Sequence, residues 1–154
     1  MARNRPEILV TQSLVDRLTD RDPWPETRSS SIAMYRESLK RDVEWLLNTR
    51  QPVIEELTSF PATTNSVLNF GLPDIHSFGS AQNKRAENLA RALEGCIRLF
   101  EPRIRQPRVL IIPSDPLMRS LKFQVEGVVV YEDMEEEIKF DTVLELISGE
   151  YEVN

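Results

Sequence analysis

The chain has 154 residues, which is the size of one domain and is long enough to bury a core. It is 40% hydrophobic and 29% charged, and it has no apolar run near the roughly 20 residues of a membrane-spanning helix, so its composition excludes a membrane protein. The N-terminus lacks the apolar stretch of a signal peptide, and a single cysteine excludes an internal disulfide and fits a reducing cytoplasm.

The net charge of −6 is unevenly distributed. Residues 1–125 carry 18 basic and 15 acidic side chains, a balance of +3, whereas residues 126–154 carry 10 acidic side chains against Lys139, a balance of −9. An acidic end of this kind argues against nucleic-acid binding, which requires Lys and Arg at the phosphates. It is either a solvated tail or a docking surface for a basic partner.

Residues 1–30 are predicted to form an N-terminal arm, followed by one domain over residues 31–154. The arm has a single short apolar cluster, made of Ile8, Leu9, Leu14, Val15 and Leu18. Near its end Trp24 lies between Pro23 and Pro25, which prevent regular structure. A large aromatic side chain can dock an arm that has no core of its own.

The first long helix is predicted from Ser31 to Asn48. Its apolar residues recur at spacings of three and four on one stripe: Ile32, Tyr35, Leu39, Val43 and Leu46. The serines at positions 29–31 are all acceptable N-caps, and Pro52 supports an end just after Arg50. Trp45 lies off this stripe, so it either lines a second buried face or is exposed as a contact residue.

Residues 50–80 are predicted to be irregular because prolines and glycines punctuate them, and long loops in compact domains are often functional. A second helix is predicted from Ala81 to Phe100. Cys96 lies at the edge of the apolar stripe of this helix, where it is expected to be a small buried hydrophobic residue.

A rigid elbow is predicted where the second helix ends, at Glu101-Pro102-Arg103. Proline cannot continue the helix and restricts the residue before it. The planar guanidinium of Arg103 offers five donors, and the carboxylate of Glu101 offers matching acceptors. The two side chains form a local ion pair at a helix end, or one of them binds a partner.

After the elbow the period of apolar residues changes from 3.6 to 2, which predicts strands. They are expected at Arg108–Ile112, at Leu121–Tyr131 with a bulge at Gly127, and at Ile138–Leu146. The sequence therefore predicts an α+β fold with two main helices packed on a small three-stranded antiparallel sheet, preceded by the N-terminal arm. The two edges of such a sheet expose unpaired amides, which are a liability or a binding site.

Catalytic signatures are absent from the sequence: it has no glycine-rich phosphate loop, no Cys-x-x-Cys pair and no Gly-x-Ser-x-Gly elbow. His76 is the single histidine, so a multi-histidine metal site is excluded. We expect no metal, no cofactor and no catalytic residue. An acidic pair for glycoside hydrolysis, with Glu101 as the general acid, stays open because acidic residues are plentiful, although nothing in the sequence places two carboxylates about 5–9 Å apart.

Four segments in order resemble the TssE family of type VI secretion baseplate subunits, which is related to the lysozyme-like wedge protein of contractile phage tails. Residues 13–20 (SLVDRLTD) are similar to its N-terminal motif, and residues 41–50 (RDVEWLLNTR) to its first core helix. Residues 66–74 (SVLNFGLPD) resemble its signature loop, and Glu101-Pro102-Arg103 matches the motif that it shares with the phage proteins. The resemblance covers nearly the whole chain after residue 12.

The resemblance implies a structural protein of the cytoplasmic baseplate wedge, docked at the inner membrane without inserting into it. The implied partners are the baseplate subunits TssF and TssG and the first ring of the contractile sheath, TssB and TssC, which it would initiate. The implied partner-binding residues are Glu101, Pro102, Arg103, Trp45, Asn69, Phe70 and Gly71. The strand that carries Ile138, Phe140, Thr142 and Leu144 is the expected docking edge for the sheath.

Overall fold

The computed structural model describes residues 8–19, 24–52, 60–74, 82–113, 120–131, 134–145 and 148–154. The chain divides into two compact units, residues 1–42 and residues 43–154. The division into an arm and a domain at residue 30 stays a prediction.

Two helices lie at the N-terminal side, α1 at Leu14–Leu18 and α2 at Arg28–Asn48. The long helix α2 confirms the first predicted helix but begins earlier, and Thr27 rather than a serine at 29–31 caps it. The hydroxyl of Thr27 accepts a hydrogen bond from the amide of Ser30 at 3.2 Å, and the hydroxyl of Ser30 accepts one from the amide of Thr27 at 3.1 Å. This reciprocal pair is the arrangement of a capping box.

Residues 60–74 contain a short helix α3 at Pro61–Thr64 and a 3₁₀ turn at Val67–Asn69. The second long helix, α4, spans Gln82–Phe100 as the periodicity predicts. Its buried stripe consists of Ala86, Leu89, Ala90, Leu93, Cys96 and Ile97. Residues 53–59 and 75–81, which include His76 and the predicted helix start Ala81, lie outside the described residues.

The sheet is antiparallel with strand order β1-β2-β3-β4. The strands are β1 at Ile104–Ile112, β2 at Ser120–Tyr131, β3 at Met134–Glu145 and β4 at Tyr151–Val153. The α+β class is confirmed, but the prediction of three strands was wrong, because part of the expected acidic tail forms β4. Tyr151 and Val153 are buried on either side of the exposed Glu152, which is too short an alternation to stand out in a sequence.

The irregularity of the sheet lies in β1 and not at Gly127, where the sequence predicted a bulge. The β1–β2 register shifts between Arg105 and Arg108, and Gln106 has a positive φ of 50°. Pairing of β2 with β3 continues without interruption through Gly127. Gly127 is nevertheless needed, because a Cβ there would lie 2.4 Å from Ile104 Cγ2. The bulge lets the strand pass through Pro107, which a central strand would not accommodate.

The strand expected to dock the sheath lies inside the sheet over part of its length. Ile138, Phe140, Thr142 and Leu144 are all buried, and β4 pairs with Thr142–Leu144 on the side opposite β2. Asp141 exchanges backbone hydrogen bonds with Asn154, so the neighbouring amide of Thr142 points to β2. The expectation of an open edge at Thr142 was therefore wrong, because β4 covers the strand at this residue. Leu146 lies outside the described residues.

Buried apolar residues of the second unit come from the end of α2, from the stripe of α4 and from one face of the sheet. The sheet contributes Leu121, Phe123, Val125, Val129, Ile138, Phe140 and Leu144. Within the described ranges, every helix is too short or too polar to cross a membrane.

Candidate functional site

The Glu-Pro-Arg elbow is a tight turn that joins α4 directly to β1. The amide of Glu101 donates to the carbonyl of Ile97 at 2.9 Å, and the amide of Ile104 donates to the carbonyl of Glu101 at 3.1 Å. Pro102 therefore occupies the second position of a four-residue turn, where its fixed φ is favourable. Because a helix and a strand hold its two ends, the elbow is preformed.

Glu101 and Arg103 face each other within the elbow. The carboxylate of Glu101 accepts hydrogen bonds from the amide of Arg103 at 3.3 Å, from its Nε at 2.6 Å and from its Nη2. The side chain of Glu101 is 7% exposed and that of Arg103 is 22% exposed. Of the two arrangements that the sequence left open, the structure contains the internal ion pair, with one part of the guanidinium reaching the surface.

The signature loop, residues 66–74, is fixed to the segment that follows α2. The amide of Leu72 donates to the carbonyl of Thr49 at 2.8 Å, and the amide of Gln51 donates to the carbonyl of Leu72 at 2.9 Å. The side chain of Gln51 also donates to the carbonyl of Asn69 at 2.8 Å. Asn69 therefore anchors the loop through its main chain.

Gly71 makes this anchoring possible. Its φ is +108°, and a Cβ at this position would lie 2.3 Å from the carbonyl oxygen of Thr49. Only glycine combines that backbone conformation with so close an approach. The motif match therefore has a physical basis at this residue.

The signature loop meets the elbow through two contacts with α4. The rings of Phe70 and Phe100 pack edge to face, with centroids 5.3 Å apart and planes at 66°. The thiol of Cys96 donates to the carbonyl of Gly71 at 3.2 Å. Burial raises the pKa of this thiol to about 12, which is the behaviour of a structural cysteine. Since Phe100 precedes Glu101 directly, these contacts make the loop and the elbow one connected feature.

Apolar side chains that sequence reasoning did not single out lie exposed beside this feature. Val67 is 82% exposed and Leu68 is 53% exposed, both in the 3₁₀ turn of the signature loop. The hydroxyl of Ser66 accepts from the amide of Leu68 at 3.3 Å, which starts the turn. The signal in the sequence was the serine before an apolar pair, a local capping pattern.

Trp45 is 53% exposed on α2, so it does not line a second buried face, which was one of the two arrangements that the sequence left open. It lies one helical turn before Thr49, whose hydroxyl donates to the carbonyl of Trp45 at 2.7 Å. Trp45 therefore precedes the Thr49–Gln51 segment that holds the signature loop.

In the first unit, a buried ion pair joins the N-terminal motif to the first core helix motif. Arg41 Nη1 lies 2.5 Å from Asp16 Oδ1, and Arg41 also donates to Asp42 at 2.8 Å. Ser13 donates to the second oxygen of Asp16 at 2.6 Å. The hydrogen bond from Arg41 holds the pKa of Asp16 far below its usual value.

The apolar cluster of the predicted arm is exposed in this unit, and Leu14 and Leu18 are 68% and 74% accessible. Because α1 places Asp16 inward, its leucines face solvent. The other members of the cluster, Ile8, Leu9 and Val15, are also exposed. Trp24, which the sequence suggested as an anchor of the arm, is 41% exposed.

A second cluster that sequence reasoning missed closes the outer side of β4. The side-chain amide of Asn48 donates to the carbonyl of Tyr151 at 2.9 Å and accepts from its amide at 2.8 Å. Arg50 donates to the carbonyl of Gly149, and its guanidinium lies 6.0 Å from the centroid of the Tyr151 ring. The residues in each of these contacts lie about 100 positions apart in the sequence, so no local sequence pattern predicts them.

The described residues contain no group of three or more His, Cys, Asp or Glu side chains able to hold a metal ion. Both oxygens of the Glu101 carboxylate accept hydrogen bonds from Arg103, and this side chain is 7% exposed. The described residues thus combine a rigid charged turn, an anchored loop and exposed apolar side chains, which are features common at protein interfaces.

The chain is similar to a known protein family. The family model described as baseplate wedge protein gp25 matches residues 33–134. The match includes the helix that carries Trp45, the signature loop and the Glu-Pro-Arg elbow. No curated protein matches the chain.

Proposed function

The chain belongs to the family of baseplate wedge protein gp25, which is also the family of TssE, and from this premise we propose that it is a structural wedge subunit of a type VI secretion baseplate. Members of this family are structural components of phage-tail-like baseplates and interact with other baseplate subunits. The observation that carries the proposal is the coupling of the Glu-Pro-Arg elbow to the signature loop through Phe70 and Phe100.

The proposed binding surface for the baseplate subunits TssF and TssG comprises Glu101, Pro102, Arg103, Trp45, Asn69, Phe70 and Gly71. Within it the main-chain bonds of Asn69 and Gly71 fix the loop, and Phe70 supports the elbow. Arg103 and Trp45 are the partly exposed members, and Arg and Trp are the side chains that most often dominate protein interfaces.

The proposed second partner is the first ring of the sheath, TssB and TssC, which docks on the sheet. The strand β3 supports this role over a shorter stretch than the sequence suggested, the stretch that contains Ile138 and Phe140. β4 covers Thr142–Leu144, whereas no strand among the described residues pairs with Met134–Phe140 on that side. Addition of a strand to an edge supplies main-chain hydrogen bonds without a deep pocket.

We further propose that the protein acts in the cytoplasm at the membrane-docked baseplate, with residues 1–30 as an arm on the wedge domain, and that it has no enzymatic activity. The engagement of Glu101 by Arg103 supports the last point over a lysozyme-like enzyme, because a general acid must reach a glycosidic oxygen.

Affinity purification of the tagged full-length chain from its native cell, followed by mass spectrometry, tests this function. We expect two further baseplate subunits and sheath subunits in the eluate, and their absence under conditions that preserve the baseplate would contradict the proposal. A matched control is the chain with Gly71→Ala, which is expected to unfold the signature loop and lose these partners.

A further inference from the structure

The N-terminal segment, residues 8–19, has polar side chains facing inward and apolar side chains facing outward. Gln12 and Asp16 are buried, whereas Leu14 and Leu18 are among the most exposed apolar residues of the described chain. Val10 is the apolar residue of this segment that is buried. A segment that folded to bury its own apolar surface would have the reverse arrangement. Folding of this segment therefore leaves its apolar cluster available for another molecule.

A set of buried hydrogen bonds holds the segment in this orientation. The side-chain amide of Gln12 donates to the carbonyls of Val10 and Ser31, both at 3.0 Å, and the hydroxyl of Ser31 accepts from the amide of Val10 at 3.1 Å. Four residues after Gln12, Asp16 pairs with Arg41. Ser31 and Arg41 both lie on α2, so two points on this helix fix the segment. Turning the segment over would leave these buried polar groups unsatisfied, so its apolar cluster faces outward before any partner binds.

The helix α1 presents part of the cluster as one stripe. Leu14 and Leu18 are four residues apart and are therefore neighbours on the same face of the helix. At about 100° per residue, Val15 lies on one side of the two leucines and Arg17 on the other. Apolar side chains at these spacings are the anchors with which a helix enters an apolar groove of another protein.

The charges of the first unit favour a protein groove with an acidic border. Within residues 8–19 the exposed charged side chain is that of Arg17, because Asp16 is buried. Carboxylates at the border of the groove would attract this guanidinium, whereas cations there would repel it. A lipid surface fits less well, since residues 8–19 and 24–42 carry five basic and four acidic side chains, a balance of +1. Binding to anionic lipids requires a cluster of cations.

We propose that the apolar cluster of the N-terminal segment, made of Ile8, Leu9, Leu14, Val15 and Leu18, docks in an apolar groove of another baseplate subunit, and that carboxylates border this groove beside Arg17. The inference rests on the proposed function as a wedge subunit. It adds a second partner-binding surface, made of residues other than those of the Glu-Pro-Arg elbow and the signature loop, and it states the chemistry of the partner.

Photocrosslinking in the native cell identifies the occupant. A photoreactive benzophenone side chain replaces Leu18 in the full-length chain, and mass spectrometry locates the peptide to which it crosslinks. We expect a peptide of a baseplate subunit that contains apolar residues and Asp or Glu. The same side chain in place of Leu110, which is 47% exposed on β1, is the positional control and should not reach this peptide. A crosslink from position 18 to a second copy of the chain, or to no protein, would overturn the proposal.

Substitutions test the apolar contact and the charge separately. The double variant Leu14→Ser with Leu18→Ser should keep the urea midpoint of the native chain, because both side chains are exposed, while recovery of baseplate subunits falls at least about tenfold. Leu110→Ser is the matched control and should give native recovery. Arg17→Glu should also lower recovery, whereas Arg17→Lys should retain it. Native recovery with the folded double variant would overturn the docking, and native recovery with Arg17→Glu would overturn the acidic border.

Two further outcomes separate this inference from the proposed function and from a lipid partner. If the native chain itself copurifies no baseplate subunits, the proposed function fails and the inference falls with it. If the native chain copurifies them and the double variant does so equally, the function stands and the inference alone is wrong. Flotation of the native chain with phosphatidylglycerol vesicles, abolished in the double variant, would assign the cluster to a lipid surface and overturn the protein partner.

Discussion

The ring of Phe70 meets the ring of Phe100 edge to face at 5.3 Å, and this contact connects the signature loop to the residue directly before Glu101. Two motifs that lie 30 residues apart in the sequence are thus one structural unit. Disturbing the loop should therefore disturb the elbow, even where the altered residue contacts no partner.

The aromatic pair should show a measurable coupling energy. We expect a double-mutant cycle with Phe70→Leu and Phe100→Leu, followed by urea unfolding, to give a coupling of about 0.5–1.5 kcal/mol, since edge-to-face pairs contribute this much beyond their buried area. Phe60→Leu combined with Phe100→Leu is the control, because Phe60 is 61% exposed. Additive effects in the first cycle would refute the link between loop and elbow.

Two glycines should respond to alanine in opposite directions. Gly71→Ala places a Cβ 2.3 Å from the carbonyl oxygen of Thr49 at a φ of +108°, and we expect a loss of more than about 2 kcal/mol in the free energy of unfolding. Gly95→Ala lies in α4 with nothing within 4 Å of the added Cβ, and it should stabilise the chain by about 0.5–1 kcal/mol. Equal effects of the two substitutions would contradict this account of the signature loop.

The buried pair of Asp16 and Arg41 should make stability depend on acid pH. Arg41 lowers the pKa of Asp16 below its unfolded value of 3.8, so the stabilisation is fully present above that value and is lost as the pH falls below it towards the lower folded value. Asp16→Asn should therefore make the free energy of unfolding fall less steeply as the pH is lowered below 4. An unaltered slope for Asp16→Asn would exclude the linkage.

Hydrogen exchange should reveal the role of Asn48. We expect Asn48→Ala to accelerate exchange of the Tyr151 amide, because Asn48 Oδ1 is its acceptor at 2.8 Å. The amide of Asn154 should stay protected, since it donates to the carbonyl of Asp141 at 2.7 Å within the sheet. Faster exchange of both amides to the same extent would mean that β4 detaches as a whole and that Asn48 is not a local cap.

The isolated protein should release no soluble fragments from purified peptidoglycan. Both oxygens of Glu101 are engaged by Arg103, and a glycosidase needs an available acid beside a second carboxylate. Release of fragments that Glu101→Gln abolishes would overturn the structural interpretation, and an unrelated active lysozyme serves as the positive control.

Periodicity was sufficient to predict the two long helices, because each carries a continuous apolar stripe, and it placed most of β2 and β3. It failed where the signal is short or distant. β4 offers only two buried residues within an acidic segment, and β1 begins before Pro107 because a bulge accommodates the proline. The elbow itself was predictable from the chemistry of proline, glutamate and arginine.

Contacts between residues that are distant in the chain could not be predicted from the sequence. Nothing local indicates that Asn48 reaches Tyr151 or that Asp16 reaches Arg41, since these pairs form only when the chain folds. The prediction of an open edge at Thr142 failed for the same reason, because the strand that covers it follows a turn at the end of the chain.

The most direct test of the central claim, that the Glu-Pro-Arg elbow binds the other wedge subunits, is quantitative copurification with a variant that keeps the buried charge paired. Arg103→Lys retains a cation beside Glu101 but loses the planar fork, whereas Arg103→Ala would leave a buried carboxylate unpaired at a cost of roughly 3–5 kcal/mol. Arg98→Lys is the matched control, since Arg98 pairs with Glu94 on α4 and is 62% exposed. We predict that both lysine variants fold and that recovery of wedge subunits falls at least about tenfold for Arg103→Lys alone, the equivalent of 1.4 kcal/mol. Equal recovery with the folded Arg103→Lys chain, the Arg98→Lys control and the native chain would contradict the account.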